Sequence, residues 1–283
     1  MKRLLVLGAL LAGLVSAAPI KIVAAENFYG DVAQQIGGAN VAVTSILSNP
    51  NQDPHLFEAS PSTARALSGA DIVVYSGIDY DPWMDKLLSA SKNPKRQILV
   101  VASLLGKKAG DNPHVWYDPA TMPIYAKALH ADLVRRDPGH KTQYDANLSR
   151  FLTSMKTVSS QVASIRARYA GTPVTATEPV FGYMSDALGF KMRNLPFQMS
   201  VMNDAEPSAS QTAAINNDLK TGAVKLFFYN DQVTDPLTEK LKMLARQGGV
   251  PVVGVTETTP VKLHYVEWML SQLKAIQTAL AKK

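Results

Sequence analysis

The chain has 283 residues, 18% of them charged, a formal net charge of +6 and no cysteine. The lack of thiols excludes a disulfide framework, a cysteine nucleophile and a lipid-modified cysteine. The small basic excess, part of it from Lys2 and Arg3, is not a nucleic-acid footprint.

Lys2 and Arg3 open the chain, an unbroken apolar run follows to Val15, and Ser16, Ala17 and Ala18 are small. The run is shorter than the roughly 20 residues a bilayer span needs. This is the pattern of a cleaved export signal, residues 1–18, with the cut after Ala17 or Ala18. The mature protein is therefore expected in the periplasm. No second long apolar segment follows, and about 265 residues remain, more than one ordinary domain.

Short β-branched runs at 20–25, 41–47, 72–75 and 98–101 alternate with amphipathic stretches, the pattern of a mainly parallel sheet covered by helices. The helix after Asn27 stops at Gly37 and Gly38. The next follows Ser60 with Pro61 in its first turn, and Asp81-Pro82 starts another. The second half repeats the order of elements, with strands at 174–176, 192–197, 224–228 and 252–255 and helices beginning near Phe181, Ser208 and Asp235.

Between the halves, residues 138–170 contain Tyr144, Leu148, Phe151, Met155, Val158, Val162, Ile165 and Tyr169 at steps of three and four. One helix on the order of 50 Å long is predicted, at 1.5 Å per residue. The expected fold is thus α/β: two lobes, 19–137 and 171–283, each with a mainly parallel sheet flanked by helices. The helix 138–170 joins them as a stiff spine that permits only small lobe movements.

Only five histidines are present, and two of them, His55 and His114, follow proline in the loops "NPNQDPHLFEAS" and "GDNPHVWYDP". Both loops follow predicted strands, and in open α/β sheets ligands collect beyond the strands' carboxyl ends. Proline stiffens each loop, which suits a metal ligand. The alternative for either is a loop histidine bonded to a backbone carbonyl. Glu178 and Glu257 stand just beyond predicted strands of the second half, where a glutamate could also simply favour a helix N-terminus. Two neutral imidazoles and two carboxylates together would form a charge-neutral cage for a divalent cation.

His130 and His140 are expected on helix surfaces, with His264 a minor alternative ligand. Asp79, Asp81 and Asp85 lack the glycine and terminal glutamate of a calcium loop, and Asp231 and Asp235 fit turn and cap roles. No His-Glu-x-x-His, Gly-x-Ser-x-Gly or phosphate-binding loop occurs.

The blocks "DPHLFEASPSTARALSGADIVVYSGIDYDPWMDKLL" and "NPHVWYDPATMPIYAKAL", with the long helix, resemble the substrate-binding proteins of bacterial zinc and manganese ABC importers, the cluster A-I group. The resemblance covers essentially the whole mature chain. It implies His55 and His114 as the first two ligands, Glu178 as the third, and Glu257 where aspartate is usual. It also implies a non-enzymatic monomer that takes Zn2+ or Mn2+ to an inner-membrane ABC permease. Two readings stand beside it: a periplasmic metallohydrolase with a similar His/Glu site, and a receptor for an organic ligand such as a metal chelate.

Overall fold

The computed structural model describes residues 18–49, 57–233 and 235–281; residues 1–17 of the expected export signal, and His55, lie outside them. Strands β1 (Ile20–Glu26), β2 (Val41–Leu47), β3 (Ile72–Tyr75) and β4 (Gln97–Val100) form one sheet in the order β2-β1-β3-β4. Strands β5 (Pro173–Ala176), β6 (Lys191–Met192), β7 (Leu226–Asn230) and β8 (Val252–Val255) form a second in the order β6-β5-β7-β8. Every pairing in both is parallel. In β1 all residues from Ile22 to Glu26 are buried, as a parallel strand covered on both faces requires. The chain reverses its direction of winding beside β1 and again beside β5, so each sheet has a crevice at its carboxyl edge.

The helices are α1 (Asn27–Gly37), α2 (Pro61–Ser68), α3 (Pro82–Ala90), α4 (Val101–Leu104), α5 (Thr121–Arg136), α6 (Lys141–Tyr169), α7 (Gly182–Ala187), α8 (Leu195–Met202), α9 (Ala209–Lys220), α10 (Pro236–Gln247) and α11 (Tyr265–Ala281). Their starts follow local chemistry. Ser60 Oγ accepts from Thr63 N ahead of α2, Ser208 and Gln211 form a capping box on α9, and Asp235 accepts from Thr238 N on α10.

The spine α6 has 29 residues, about 43 Å at 1.5 Å per residue. A tighter 3-10 turn, Pro138–His140, precedes it, so the α-helix begins three residues later than its apolar period suggests. It buries Tyr144, Phe151, Met155, Val158, Val162 and Ile165 against α1, α5 and α11. Asn147 is buried too, donating to Ile36 O at 2.8 Å and so satisfying a carbonyl near the end of α1.

Residues 192–197, expected as a strand, divide instead. Pairing ends at Met192, Asn194 takes φ +59°, and α8 starts at Leu195 with Pro196 in its first turn. Proline cannot donate to a ladder but fits a first helical turn.

A single buried cluster runs through both sheets. Its rings form a ladder from one lobe to the other: Phe28–Trp116 at 4.8 Å, Phe28–Trp268 at 5.9 Å, Trp268–Tyr117 at 5.5 Å, Tyr117–Phe181 at 4.9 Å and Phe181–Phe228 at 4.9 Å. Each such pair contributes about 0.5–1.5 kcal/mol beyond area burial. The inner ends of the lobes thus meet through one continuous chain of ring contacts.

Candidate metal centre

The carboxyl ends of the strands carry the polar residues of the interior. Glu26 ends β1, Asp81 follows β3, His114 lies beyond β4, Glu178 beyond β5, Asn230 ends β7 and Glu257 follows β8. Glu26, Asp81, His114, Glu178 and Glu257 are all buried, whereas no lysine or arginine is buried among the described residues. The crevice is thus acidic and electrostatically receptive to a cation.

His114 and Glu257 meet across it. Nε2 of His114 lies 3.5 Å from Oε2 of Glu257, and both side chains are fully buried. Two donors at that separation are spaced as two vertices of a tetrahedron about an ion with bonds of about 2.1 Å. The imidazole sits in an aromatic box, 5.8 Å from the Tyr80 ring and 5.3 Å from Trp116. Burial, followed by the nearby Glu257 carboxylate, raises the Tyr80 phenol well above its ordinary pKa.

Glu257 is positioned from both sides. Asn230 Nδ2 donates to its carboxylate, and Gln232 Oε1 accepts from the backbone N–H groups of Glu257 and Thr258. From the first lobe, Tyr117 OH donates to Thr256 O at 2.7 Å. Asn27 makes a two-way contact with Thr259, donating from Nδ2 to its carbonyl and accepting its N–H at Oδ1, each at 2.9 Å. Asp31 accepts from Tyr265 N at 2.8 Å and pairs with His264 Nδ1 at 2.6 Å. The loop carrying Glu257 is therefore stitched to the opposite lobe at three places.

Glu178 is buried at the start of the short turn Pro179–Phe181. Of the candidate ligands read from the sequence, the structure brings His114 and Glu257 together and buries Glu178 just beyond the carboxyl end of β5. Among the described residues no three His, Cys, Asp or Glu side chains form a metal-holding group, and His55 lies outside them. Phe57, two residues further on, places its ring 4.2 Å from that of Trp83. The other histidines are engaged elsewhere: His130 with Asp145, His140 with Asp137, and the mostly exposed His264 with Asp31.

Sequence reasoning missed the carboxyl pair beneath the crevice. Asp81, read as a helix start, does precede Pro82 of α3, but its carboxylate also accepts from Ser76 N at 2.6 Å and Gly77 N at 2.8 Å. Gly77 is needed there: its φ is +79°, and a Cβ would fall 2.5 Å from Val100 Cγ1. Glu26 lies alongside, and neither of its oxygens meets a donor. Burial first, then the Asp81 charge, raises the Glu26 pKa well above 4.5. The position of Glu26 at a strand's carboxyl end was the available signal.

Two parallel-sheet lobes joined by a long helix, with acids and an imidazole gathered where the lobes meet, are the architecture of a substrate-binding protein. The chain belongs to the family described as zinc-uptake complex component A, periplasmic, whose model matches residues 22–279. Members are substrate-binding components of metal ABC importers and not enzymes, which removes the metallohydrolase alternative.

The chain is 23% identical over 251 residues to the manganese ABC transporter substrate-binding lipoprotein PsaA of Streptococcus anginosus, covering 82% of this chain and 78% of that protein. It is 26% identical over 187 residues to the iron-binding protein YfeA of Yersinia pestis, covering 62% and 59%. The periplasmic zinc-binding protein TroA of Treponema pallidum superposes with a TM-score of 0.78 at 18% identity, covering 93% of this chain and 99% of that one. A crystal structure of ZnuA gives 0.72 at 23% identity, covering 93% and 98%.

Proposed function

We propose that this protein captures Zn2+ or Mn2+ in the periplasm, after removal of its export signal, and surrenders the ion as a monomer to an inner-membrane ABC permease. His55, His114, Glu178 and Glu257 are the proposed ligands. The observation that carries the reading is the approach of His114 Nε2 to Glu257 Oε2 across the lobes, at a separation suited to sharing one ion. The surrounding excess of buried acids supports a cation as the ligand, against an organic chelate held by hydrogen bonds alone.

The ring ladder and the stitched loop argue for a mechanism of small adjustments. A loaded crevice ties one lobe's imidazole to the other's carboxylate; an empty one leaves the outer loops freer, and the permease reads that difference. Two carboxylates suit Mn2+, while intrinsic affinity favours Zn2+ over Mn2+ at any such site.

The test is titration of the chelator-stripped protein with each ion, following thermal stability. At a free concentration a hundredfold above Kd, binding adds about 2.7 kcal/mol. His114→Ala and Glu257→Ala should abolish the shift. No shift in the wild type, or an undiminished shift in both variants, overturns the reading.

A further inference from the structure

We infer that Asn112 is the positioning residue of this centre: one side-chain amide sets the tautomer of His114 and ties that imidazole to the segment of the opposite lobe that carries Glu178. The inference rests on the metal-binding reading and adds a residue to it.

Four hydrogen bonds converge on Asn112. Its Oδ1 lies 3.1 Å from His114 N and 2.7 Å from His114 Nδ1, and its Nδ2 donates to Pro179 O at 2.7 Å. Its backbone carbonyl accepts from Tyr183 OH at 2.8 Å. The chemistry of the partners settles which end of the amide is which. A backbone N–H can only donate and a backbone carbonyl can only accept, so oxygen faces His114 and nitrogen faces Pro179. An amide oxygen facing Nδ1 requires the proton to be on Nδ1. In the neutral ring this leaves Nε2, the atom aimed at Glu257, with its lone pair free for a metal ion.

The second half of the role lies in the opposite lobe. Pro179 follows Glu178 directly, so Asn112 references the imidazole to the residue next to a proposed carboxylate ligand. Gly182 makes this approach possible, since a Cβ there would lie 2.7 Å from Asn112 Nδ2. Asn112 is only half-buried and borders a cleft of about 380 Å³ shared with Pro179, Tyr183 and Gln198, so its substitution does not open the core.

The test uses two variants and two readouts. Asn112→Ala removes both ends of the bridge; Asn112→Asp keeps an acceptor for Nδ1 and loses the donor to Pro179. Long-range proton–nitrogen spectra of the metal-free, 15N-labelled protein at about pH 8, where an ordinary imidazole is neutral, report which ring nitrogen of His114 is protonated. Titrations with Zn2+ and Mn2+ report affinity.

The wild type and Asn112→Asp should show Nδ1 protonated, whereas Asn112→Ala should show a mixture of tautomers. Affinity should fall about 10–100-fold in Asn112→Ala and by a smaller factor in Asn112→Asp. An unchanged tautomer in Asn112→Ala, or affinity within about twofold of wild type, overturns the inference. A wild type that binds neither ion would instead sink the metal reading, while the spectra of metal-free protein would still decide the role of Asn112.

Discussion

Replacing Glu26 by glutamine should change how stability depends on pH. Asp81 is the member of the pair that ionises first: burial pushes its pKa up to about 6, held from rising further by the Gly77 and Ser76 N–H groups that donate to it; Glu26, fully buried and facing no donor, is the member that keeps a proton. Its folded-state pKa lies above the ordinary value of 4.5. Below that ordinary value both folded and unfolded chains hold the proton, and the contribution to stability is fully present. Above it the unfolded chain releases a proton that the folded chain retains, so stability falls as pH rises, until the folded pKa is passed. One retained proton corresponds to at most about 1.4 kcal/mol per pH unit.

Glutamine can donate to Asp81 in place of the retained proton and has nothing to release. The Tm of Glu26→Gln minus that of wild type should therefore grow with pH. Between about pH 5.5 and 7.5 the limit is about 3 kcal/mol, or about 5–10 °C for a chain of roughly this size. Calorimetry of the chelator-stripped proteins across that range measures it. A gap that stays constant with pH would refute the assignment of the proton to this pair.

Two further changes test the junction between the lobes. Asn27→Ala removes both bonds to Thr259 and should cost about 1–3 kcal/mol, read as a lower urea midpoint with an unchanged slope; no shift would mean that the stitch is not energetically coupled to folding. Phe28→Ala empties a fully buried site between Trp116 and Trp268 and should cost about 3–5 kcal/mol by chemical denaturation. A loss below about 1 kcal/mol would show that the ring ladder does not weld the lobes.

The sequence by itself determined the elements whose causes are local. Alternation of β-branched and amphipathic runs set the strands at residues 41–47, 72–75 and 252–255. Ser60, Ser208 and Asp235 marked helix starts because a cap acts within three residues. The apolar period of α6 showed in the sequence because a helix repeats its burial every turn. Where the local signal was split, it misled: the apolar run at 192–197 read as a strand, but Asn194 and Pro196 end the ladder and begin a helix.

The positional rule that picked His114, Glu178 and Glu257 was also local, resting on loops that follow strands. What that rule could not supply was convergence. His114 and Glu257 are 143 positions apart, and only the packing of one lobe against the other, through the chain of rings that runs from Phe28 to Phe228, brings them within 3.5 Å. Asn112 with Pro179, Asn27 with Thr259 and Glu26 with Asp81 are pairings of the same kind. Each joins residues whose neighbours in the chain carry no trace of the partner. Strand order decides which loops share a crevice, and that order is set by the burial of whole faces.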